Sequence, residues 1–307
     1  MKKFLSVLMA GAMLFGVLTL AGCGDTTTDT GEDTTTTEDT TTTAEFTTVT
    51  EGVLTMSTNA AFPPYEMTDD TGAVVGIDAE IAAAIAEKLG LELQIDDMDF
   101  DGALAAPQSG KSDIVMAGVT VNEERQLVLD FTETYANGVQ KVIVAEGSDI
   151  TSIEDMQGKK IGTQRGTTGY LYCSDTVENG GFGEENVVAY DDAIAATQAL
   201  NNGQVDCVVI DSAVADNLVA TNPGLTTLET EYTNEDYAIG VAKGNTALLD
   251  AINTALQELI DDGTVQSIID KYIPSDGAEA DTAGATDEAG ATDEAGATDG
   301  AEADTAA

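Results

Sequence analysis

Short apolar runs alternate with segments of helical periodicity through most of the chain. The first run, at 52–57, is followed by a helical segment that Asp78 can cap, and then by runs at 91–95 and 113–116. Because parallel strands need a crossover connection between them, this order predicts a mostly parallel sheet with helices on its faces. Ligands bind beyond the carboxyl ends of strands in such sheets, so the residues that follow the third run are candidate site residues.

The same alternation returns in the second half of the chain. Strand-like runs at 160–163, 187–190 and 205–210 are separated by helical segments. Extended runs at 139–144 and 237–241 connect this second unit with the first. The sequence therefore predicts an α/β fold built from two units and two extended crossings.

Two features of the composition exclude whole classes of function. The chain has no histidine, which removes the usual general base and the commonest metal ligand, so Ser-His-Asp, Cys-His and His-metal sites are excluded. The formal net charge is −45, and a surface of this charge repels nucleic-acid phosphates. We expect no cofactor, no metal and no nucleic-acid partner.

The N-terminus has the pattern of an export signal. Lys2 and Lys3 precede an uncharged apolar run at 4–20. Residues 20–23 read Leu-Ala-Gly-Cys, which resembles the bacterial lipobox, a signal in which the cysteine is diacylated and becomes the first mature residue. We therefore predict a signal peptide at 1–22 and lipidation of Cys23, whose two acyl chains hold a protein on a membrane better than one. An uncleaved membrane anchor is the alternative, because the run is at the short limit for a span.

The two ends of the mature chain lack the apolar residues that folding requires. Residues 23–50 are rich in threonine and acidic residues and are predicted to form a disordered tether. Residues 276–307 carry a degenerate six-residue repeat, Ala-Thr-Asp-Glu-Ala-Gly, which has no hydrophobic face to stack and is predicted to form a disordered acidic tail.

An arginine follows the third strand-like run at a position suited to binding an anion. A glycine gives access to the backbone, Thr120 supplies a hydroxyl, and Asn122 can cap a helix that has Arg125 one turn in. The alternative for Arg125 is an ion pair with a surface carboxylate such as Asp130. An ion pair is also what we expect for Arg165, the only other arginine.

Several motifs, together with the order of elements, resemble the polar amino-acid-binding proteins of bacterial ABC importers, the family 3 extracellular solute-binding proteins. The motifs are Ala61-Phe62-Pro63-Pro64-Tyr65-Glu66, Gly76-Ile77-Asp78, residues 117–125, Gly166-Thr167-Thr168 and Val209-Ile210-Asp211. The resemblance implies a two-lobed periplasmic-binding-protein fold of type II. Each lobe is a mostly parallel sheet flanked by helices, and two hinge crossings join the lobes. Lobe 1 would comprise 51–136 and 239–275, and lobe 2 would comprise 141–233.

The resemblance also implies how a free amino acid is held. Arg125 would bind the α-carboxylate through two parallel hydrogen bonds, with help from Thr168 of the other lobe. Gly118, through its carbonyl, Thr120 and Asp211 would receive the α-ammonium. The alternative for Asp211 is an ordinary helix N-cap.

The side-chain pocket is implied by four further positions. Phe62 and Phe100 match family positions that line this pocket, and core packing is their alternative. Asn59 stands where many relatives carry an aspartate that reads a cationic or amide side chain, and Gln164 lies at another specificity position. The departure at Asn59 favours a neutral polar amino acid, such as glutamine or cystine, over a basic one.

Two cysteines remain beside Cys23. Cys173 and Cys207 fall on a predicted helix and an adjacent strand of the second unit. A disulfide is geometrically feasible there, and an extracytoplasmic location permits it. Two buried free thiols are the alternative, and both remain open at this point.

The function that the resemblance implies is capture of a free amino acid and its delivery to an ABC permease. The protein would be an extracytoplasmic monomer, held to the cell membrane only through its lipid anchor. Two alternatives remain open. One is a ligand sensor that docks on a membrane receptor, and the other is a dehydratase of the same fold in which Glu66 acts as a base. The lipobox and tether favour delivery to a membrane partner, so we predict that the protein is not an enzyme.

Overall fold

The computed structural model describes residues 46–229 and 231–273. The predicted signal peptide, Cys23, the tether up to residue 45 and the acidic tail lie outside the described residues. Within these ranges, no helix combines the length and the apolar character that crossing a membrane requires.

Twelve strands and seven α-helices make up the described chain. The strands are β1 (Val53–Thr58), β2 (Ala61–Phe62), β3 (Glu66–Thr68), β4 (Val74–Val75), β5 (Glu92–Asp97), β6 (Ile114–Val115), β7 (Leu129–Ala145), β8 (Ile161–Gln164), β9 (Val187–Tyr190), β10 (Cys207–Asp211), β11 (Leu225–Thr227) and β12 (Thr233–Ala242). The helices are α1 (Ile77–Leu89), α2 (Phe100–Ala105), α3 (Thr168–Ser174), α4 (Ala193–Asn201), α5 (Ser212–Thr221), α6 (Thr246–Asp261) and α7 (Thr264–Tyr272).

One large sheet runs through the molecule in the order β5-β1-β6-β12-β7-β10-β8-β9, with β11 also paired to β7. The pairs β1–β5, β1–β6, β10–β8 and β8–β9 are parallel, as the alternating sequence predicts. The long strands β7 and β12, here called the hinge strands, pair antiparallel between these two parallel sets. Strands β2, β3 and β4 form a separate small sheet.

The hinge strand β7 physically joins the two sets of parallel strands. It pairs with β12 along 129–140 and with β10 and β11 along 140–145. It therefore begins well before the predicted crossing at 139–144. The lobe boundaries given above stay predictions, since a continuous strand has no break at which one lobe ends.

Asp78 does not cap α1, contrary to the prediction. The cap position is Gly76, so Asp78 lies within the first turn and is fully buried. Its carboxylate accepts hydrogen bonds from the Gly118 amide (3.0 Å) and the Tyr135 hydroxyl (2.7 Å). The helix begins two residues earlier than the sequence pattern indicated, with its cap at Gly76 instead of Asp78. The Asp78 side chain therefore bonds to donors that are distant in sequence.

The two cysteines are free thiols in the core of the second set of strands. Cys173 on α3 and Cys207 on β10 are both buried, in a cluster with Val142, Ile161 and Val209. Burial raises the pKa of Cys207 to about 12, which makes its thiolate scarce and its reactivity low. Of the two alternatives, the structure shows the pair of free thiols.

Candidate functional site

A cavity lies where the segments that follow β1, β6 and β8 meet the hinge strands. Its wall consists of Asn59, Phe62, Glu66, Phe100, Ala117, Gly118, Thr120, Arg125, Gln140, Gln164, Thr167, Thr168, Glu235 and Tyr237. Eight of the nine predicted ligand-binding residues are on this wall, and Asp211 is not. Residues from both predicted lobes therefore face the same space.

Two backbone carbonyls hold the Arg125 side chain in the cavity wall. Its Nη1 donates to the Thr120 carbonyl (2.7 Å), and its Nη2 donates to the Gly166 carbonyl (3.3 Å) from the other predicted lobe. The guanidinium carbon lies 5.3 Å from the centroid of the Phe100 ring. A guanidinium has five N–H donors, so three remain for a ligand carboxylate.

The helix predicted to begin after Asn122 is replaced by a single 3₁₀ turn that begins at Arg125, with Glu124 in the cap position. The Arg125 amide donates to the Asn122 side chain (2.8 Å), and a single 3₁₀ turn, Arg125–Leu127, follows. The surface ion pair considered for Arg125 is wrong, because Arg125 is only 7 % exposed and Asp130 pairs with Lys243 (2.7 Å) instead. Burial lowers the pKa of the guanidinium, and the charge of Glu235 opposes that shift. Arginine stays protonated nonetheless.

Glu235, on the hinge strand β12, collects hydroxyl and amide donors on one of its carboxylate oxygens. Its Oε2 accepts from Thr120 Oγ1 (3.1 Å), Gln140 Nε2 (2.9 Å) and the Tyr237 hydroxyl (3.5 Å). Its other oxygen, Oε1, is buried and has no hydrogen-bond partner. Thr120 therefore joins the two charged groups of the cavity, since its carbonyl binds Arg125 and its hydroxyl binds Glu235.

Asp211 lies behind the wall, at the junction of β10 and α5. Its Oδ1 accepts from the amides of Ala213 (2.9 Å) and Val214 (3.2 Å), so it does cap α5, as its alternative reading proposed. Its Oδ2 accepts from the Tyr237 hydroxyl (2.9 Å). Burial raises the pKa of Asp211 to about 6. Both oxygens are thus engaged within the protein.

Glu66 presents a fully buried carboxyl group to the cavity. With the carboxyl group ionised, neither of its oxygens has a hydrogen-bond donor among the described residues. Burial, followed by the charge of Asp78, raises the pKa of Glu66 well above its usual value. Burial also raises the pKa of Asp78 to about 6, although Gly118 and Tyr135 stabilise its charged form. The two carboxyl groups therefore favour holding a proton between them when the cavity is empty of cations.

Asn59 and Gln164 meet across the cavity. Gln164 Nε2 donates to Asn59 Oδ1 (2.8 Å) and also to the Asp191 carbonyl (3.3 Å), while Asn59 Nδ2 donates to the Met98 carbonyl (2.8 Å). The predicted specificity positions thus bind each other in this structure. Both amide N–H donors of Gln164 are used, whereas Asn59 uses one of its two.

The apolar part of the wall combines pocket lining with core packing. Phe100 is 6 % exposed and packs in the cluster that contains Ala103 and Val115, so both roles considered for it coexist. Phe62 stands over Gly118, which has a φ of 53°. A Cβ on Gly118 would lie 2.8 Å from the Phe62 ring, so this position requires glycine for both conformation and space.

Every buried, unpartnered side-chain atom on the cavity wall is an oxygen that can accept a hydrogen bond. These atoms are both carboxyl oxygens of Glu66, Oε1 of Gln140 and Oε1 of Glu235. Buried polar groups without partners are strongly unfavourable, so the wall is complementary to a ligand that is rich in N–H donors.

The family model for bacterial extracellular solute-binding proteins, family 3, matches residues 54–275. The chain belongs to this family. It is 29 % identical to a protein of Neisseria gonorrhoeae named as a probable histidine-binding protein, over 91 % of this chain and 98 % of that protein. It is 30 % identical to the L-cystine-binding protein TcyJ of Escherichia coli K12, over 73 % of this chain and 84 % of that protein.

The solved structure of an ancestral arginine-binding protein bound to glutamine is similar to this solute-binding protein. The two share 41 % identity with a TM-score of 0.68, over 74 % of this chain and 100 % of the other. This similarity and the sheet topology confirm the predicted two-lobed type II fold. The relatives are binding proteins rather than enzymes, and the family location is extracytoplasmic.

The family motifs did not indicate three residues of the wall in this solute-binding protein: Gln140, Glu235 and Tyr237. All three lie on the hinge strands. Side chains two apart on a strand share a face. Glu235 and Tyr237 are two apart on β12, and both are buried while Asp236 between them is exposed. This spacing was a signal that the two residues face the same side. Glu66 was considered only as a base of the alternative dehydratase, and not as a ligand-binding residue.

Proposed function

We propose that this protein captures a free L-amino acid in the cavity and delivers it to an ABC permease. Family membership and the amino-acid ligands in the names of its relatives support this proposal. The cavity supplies what a zwitterion needs, since Arg125 offers free N–H donors and Glu235 offers a free carboxylate oxygen, and both contact Thr120. Transport is favoured over sensing because relatives include proteins named for ABC transporters.

The ligand class that the wall supports best is a basic L-amino acid. The observation that carries this choice is that the buried side-chain atoms of the wall that lack any hydrogen-bond partner are all acceptor oxygens. An α-ammonium together with a guanidinium, ammonium or imidazolium supplies more N–H donors than any neutral amino acid. The names of relatives that bind histidine and arginine point the same way.

The buried charges around the cavity also favour a cationic ligand. Glu66, Asp78, Asp211 and Glu235 are each at most 3 % exposed, while Arg125 is the only buried lysine or arginine in the described ranges. Buried charges are stable only when they are paired. A ligand that carries one net positive charge reduces this imbalance, and a neutral zwitterion leaves it unchanged.

A neutral polar amino acid, the class favoured by Asn59, is the second candidate. The hydrogen bond between Asn59 and Gln164 supports it, because an amide pair can exchange partners with an amide ligand. So do the relative named for cystine and the similar structure that holds glutamine.

A thermal-shift screen of the purified protein against the twenty L-amino acids and cystine tests both candidates. A ligand that binds only the folded state raises stability by about 4 kcal/mol at a thousand times its Kd. We expect the largest shifts with arginine, lysine or histidine. A larger shift with glutamine or cystine would select the second candidate, and no shift with any amino acid would refute the proposed function.

We also propose that a lipid on Cys23 anchors the protein outside the cytoplasm. The export-signal pattern and the extracytoplasmic family location support this. Replacing Cys23 with serine is expected to move the protein from the membrane fraction to the soluble fraction, because the acylated sulfur is lost. Fractionation after metabolic labelling with a palmitate analogue measures both location and acylation. A variant that stays membrane-bound would favour the uncleaved anchor instead.

A further inference from the structure

We propose that an apolar groove beside the cavity is the surface on which the ABC permease docks, through an apolar side chain flanked by lysine or arginine. This groove, here called the docking groove, is lined by the apolar residues Leu104, Val128, Leu129 and Leu171 and by the acidic residues Asp101 and Glu124. This inference rests on the proposed delivery of an amino acid to a permease, and it adds the surface of this protein that the permease contacts.

The docking groove has one side from each predicted lobe. Leu104 on α2 and Val128, directly before β7, belong to one side, and Leu171 on α3 belongs to the other. Arg125 and Gly166 also line the groove, and Arg125 Nη2 donates to the Gly166 carbonyl (3.3 Å) across it. The groove is therefore complete only when the lobes are together. A partner that binds there distinguishes the closed protein from the open one.

Large apolar side chains at the docking groove stay exposed. Val128 is 49 % exposed and Leu171 is 39 % exposed, and Leu127, which precedes Val128, is 77 % exposed. These are three of the seven exposed large apolar residues in the described ranges; the others are Val49, Val177, Val188 and Ile194. Exposed apolar side chains gathered at one place, with polar residues around them, are typical of protein interaction sites.

The charges at the docking groove select the class of partner. Asp101 and Glu124 are exposed, whereas the one cation of the groove, Arg125, is buried and bonded to two backbone carbonyls. A partner surface with lysine or arginine beside its apolar residue complements this arrangement. A second copy of the chain would bring the same acidic residues to the contact, and anionic lipid headgroups would be repelled.

The ends of this chain are also poor occupants of the docking groove. Residues 24–45 and 276–307, outside the described ranges, carry seven and ten acidic residues and no lysine or arginine. Their charge has the same sign as Asp101 and Glu124, so repulsion disfavours both. The occupant that fits is another protein, and the proposed function already requires one, the permease.

The test separates delivery of the ligand from its binding. A strain of the bacterium of origin that lacks this gene receives either the wild type or the double variant Leu127→Ser, Leu171→Ser. Initial uptake is measured with the radiolabelled amino acid that gives the largest thermal shift. We expect uptake by the double variant to fall about 10-fold or more, as for loss of two apolar contacts at an interface. Affinity measured by calorimetry should change less than about twofold, because both residues are on the surface.

Two control variants match these changes in kind. Val188→Ser, Ile194→Ser removes two exposed apolar side chains that are outside the docking groove, and it is expected to leave uptake unchanged. Asp101→Asn, Glu124→Gln tests the charges and is expected to lower uptake, because a basic partner loses two attractions. Neutralising two exposed acidic residues outside the groove, Glu178 and Glu185, is its control and should have no effect.

Four outcomes would overturn the inference. Normal uptake by the Leu127→Ser, Leu171→Ser variant would do so, as would an equal loss in the Val188→Ser, Ile194→Ser control. A loss of uptake explained by weaker ligand binding would assign these residues to the cavity instead. Sedimentation velocity showing a wild-type dimer that the groove variant dissociates would make a second copy the occupant. A wild type that binds an amino acid without restoring uptake would refute delivery, and one that binds none would refute the proposed function itself.

Discussion

Replacing Arg125 with alanine is expected to weaken binding of the amino acid by roughly 100- to 1,000-fold, or about 3–4 kcal/mol. The guanidinium is buried and fixed by Thr120 and Gly166, and it keeps three donors for the ligand. Its loss would leave the ligand carboxylate without a cation beside Glu235, and like charges in a buried site repel. Isothermal titration calorimetry with the best ligand from the thermal-shift screen measures the effect.

Arg165→Ala is the matched control for this prediction. It removes the only other arginine, which is more than half exposed and pairs with Asp191 at 3.4 Å. An exposed pair of this kind contributes at most about 1 kcal/mol, so we expect less than about a fivefold change in affinity. Near-normal binding by a folded Arg125→Ala variant would refute the assignment of the carboxylate site.

Replacing Glu66 with glutamine is expected to weaken binding of a basic amino acid by roughly 10- to 100-fold at pH 8 and to remove the part of the pH dependence of that binding that Glu66 carries. The change keeps the shape of the side chain and removes its charge. In the wild type, Glu66 and Asp78 favour a shared proton, because burial raises the pKa of both groups. A cationic side chain next to Glu66 favours the ionised form, so binding releases a proton.

The direction of the pH effect follows from this proton release. At low pH the carboxyl pair holds its proton and opposes the cation, whereas above the raised pKa values the proton is already gone. Wild-type affinity for a basic amino acid is therefore expected to rise from pH 5 to pH 8. Affinity for glutamine, which does not need the ionised form, should change much less over that range. Asp211, with a pKa of about 6, titrates in the same interval, and the Glu66→Gln variant separates the two contributions.

Calorimetry at several pH values, in buffers of different ionisation enthalpy, counts the released protons directly. Glu123→Gln is the matched control, because Glu123 is exposed and should leave both affinity and proton release unchanged. Proton release that persists in Glu66→Gln would show that another group carries it. A wild type that binds a basic amino acid with no proton release would contradict the shared-proton interpretation while leaving the ligand class in place.

The hinge strands are the part of the fold that the sequence predicted least well. Periodicity located the parallel strands and their helices, since these elements bury apolar faces of regular spacing. It placed the first crossing at 139–144, whereas β7 runs from Leu129 to Ala145. The missed part, 129–138, carries Thr132, Glu133 and Asn137 among its apolar residues, and the exposed Glu133 and Asn137 interrupt the apolar pattern.

The candidate site, like the fold, has residues that the sequence indicated and residues that it did not. The chain has only two arginines. The local motif left a surface ion pair open for Arg125, and the family resemblance indicated its role as the cation of the cavity. By contrast, the chain has 56 acidic residues, and nothing local distinguishes the few that face the ligand. Glu235 was outside every motif, and Asp78 looked like a helix cap.

The sequence by itself determined the α/β order of elements, the absence of histidine chemistry and the arginine that can hold a carboxylate. These follow from local periodicity and residue identity. Only the tertiary structure decided which carboxyl groups meet around the cavity, and it brought Glu66 and Glu235 to the wall while placing Asp211 behind Tyr237. The physical reason is that burial and unsatisfied hydrogen bonding depend on neighbours far apart in the chain. Glu235, for example, contacts Thr120 across 115 positions of sequence.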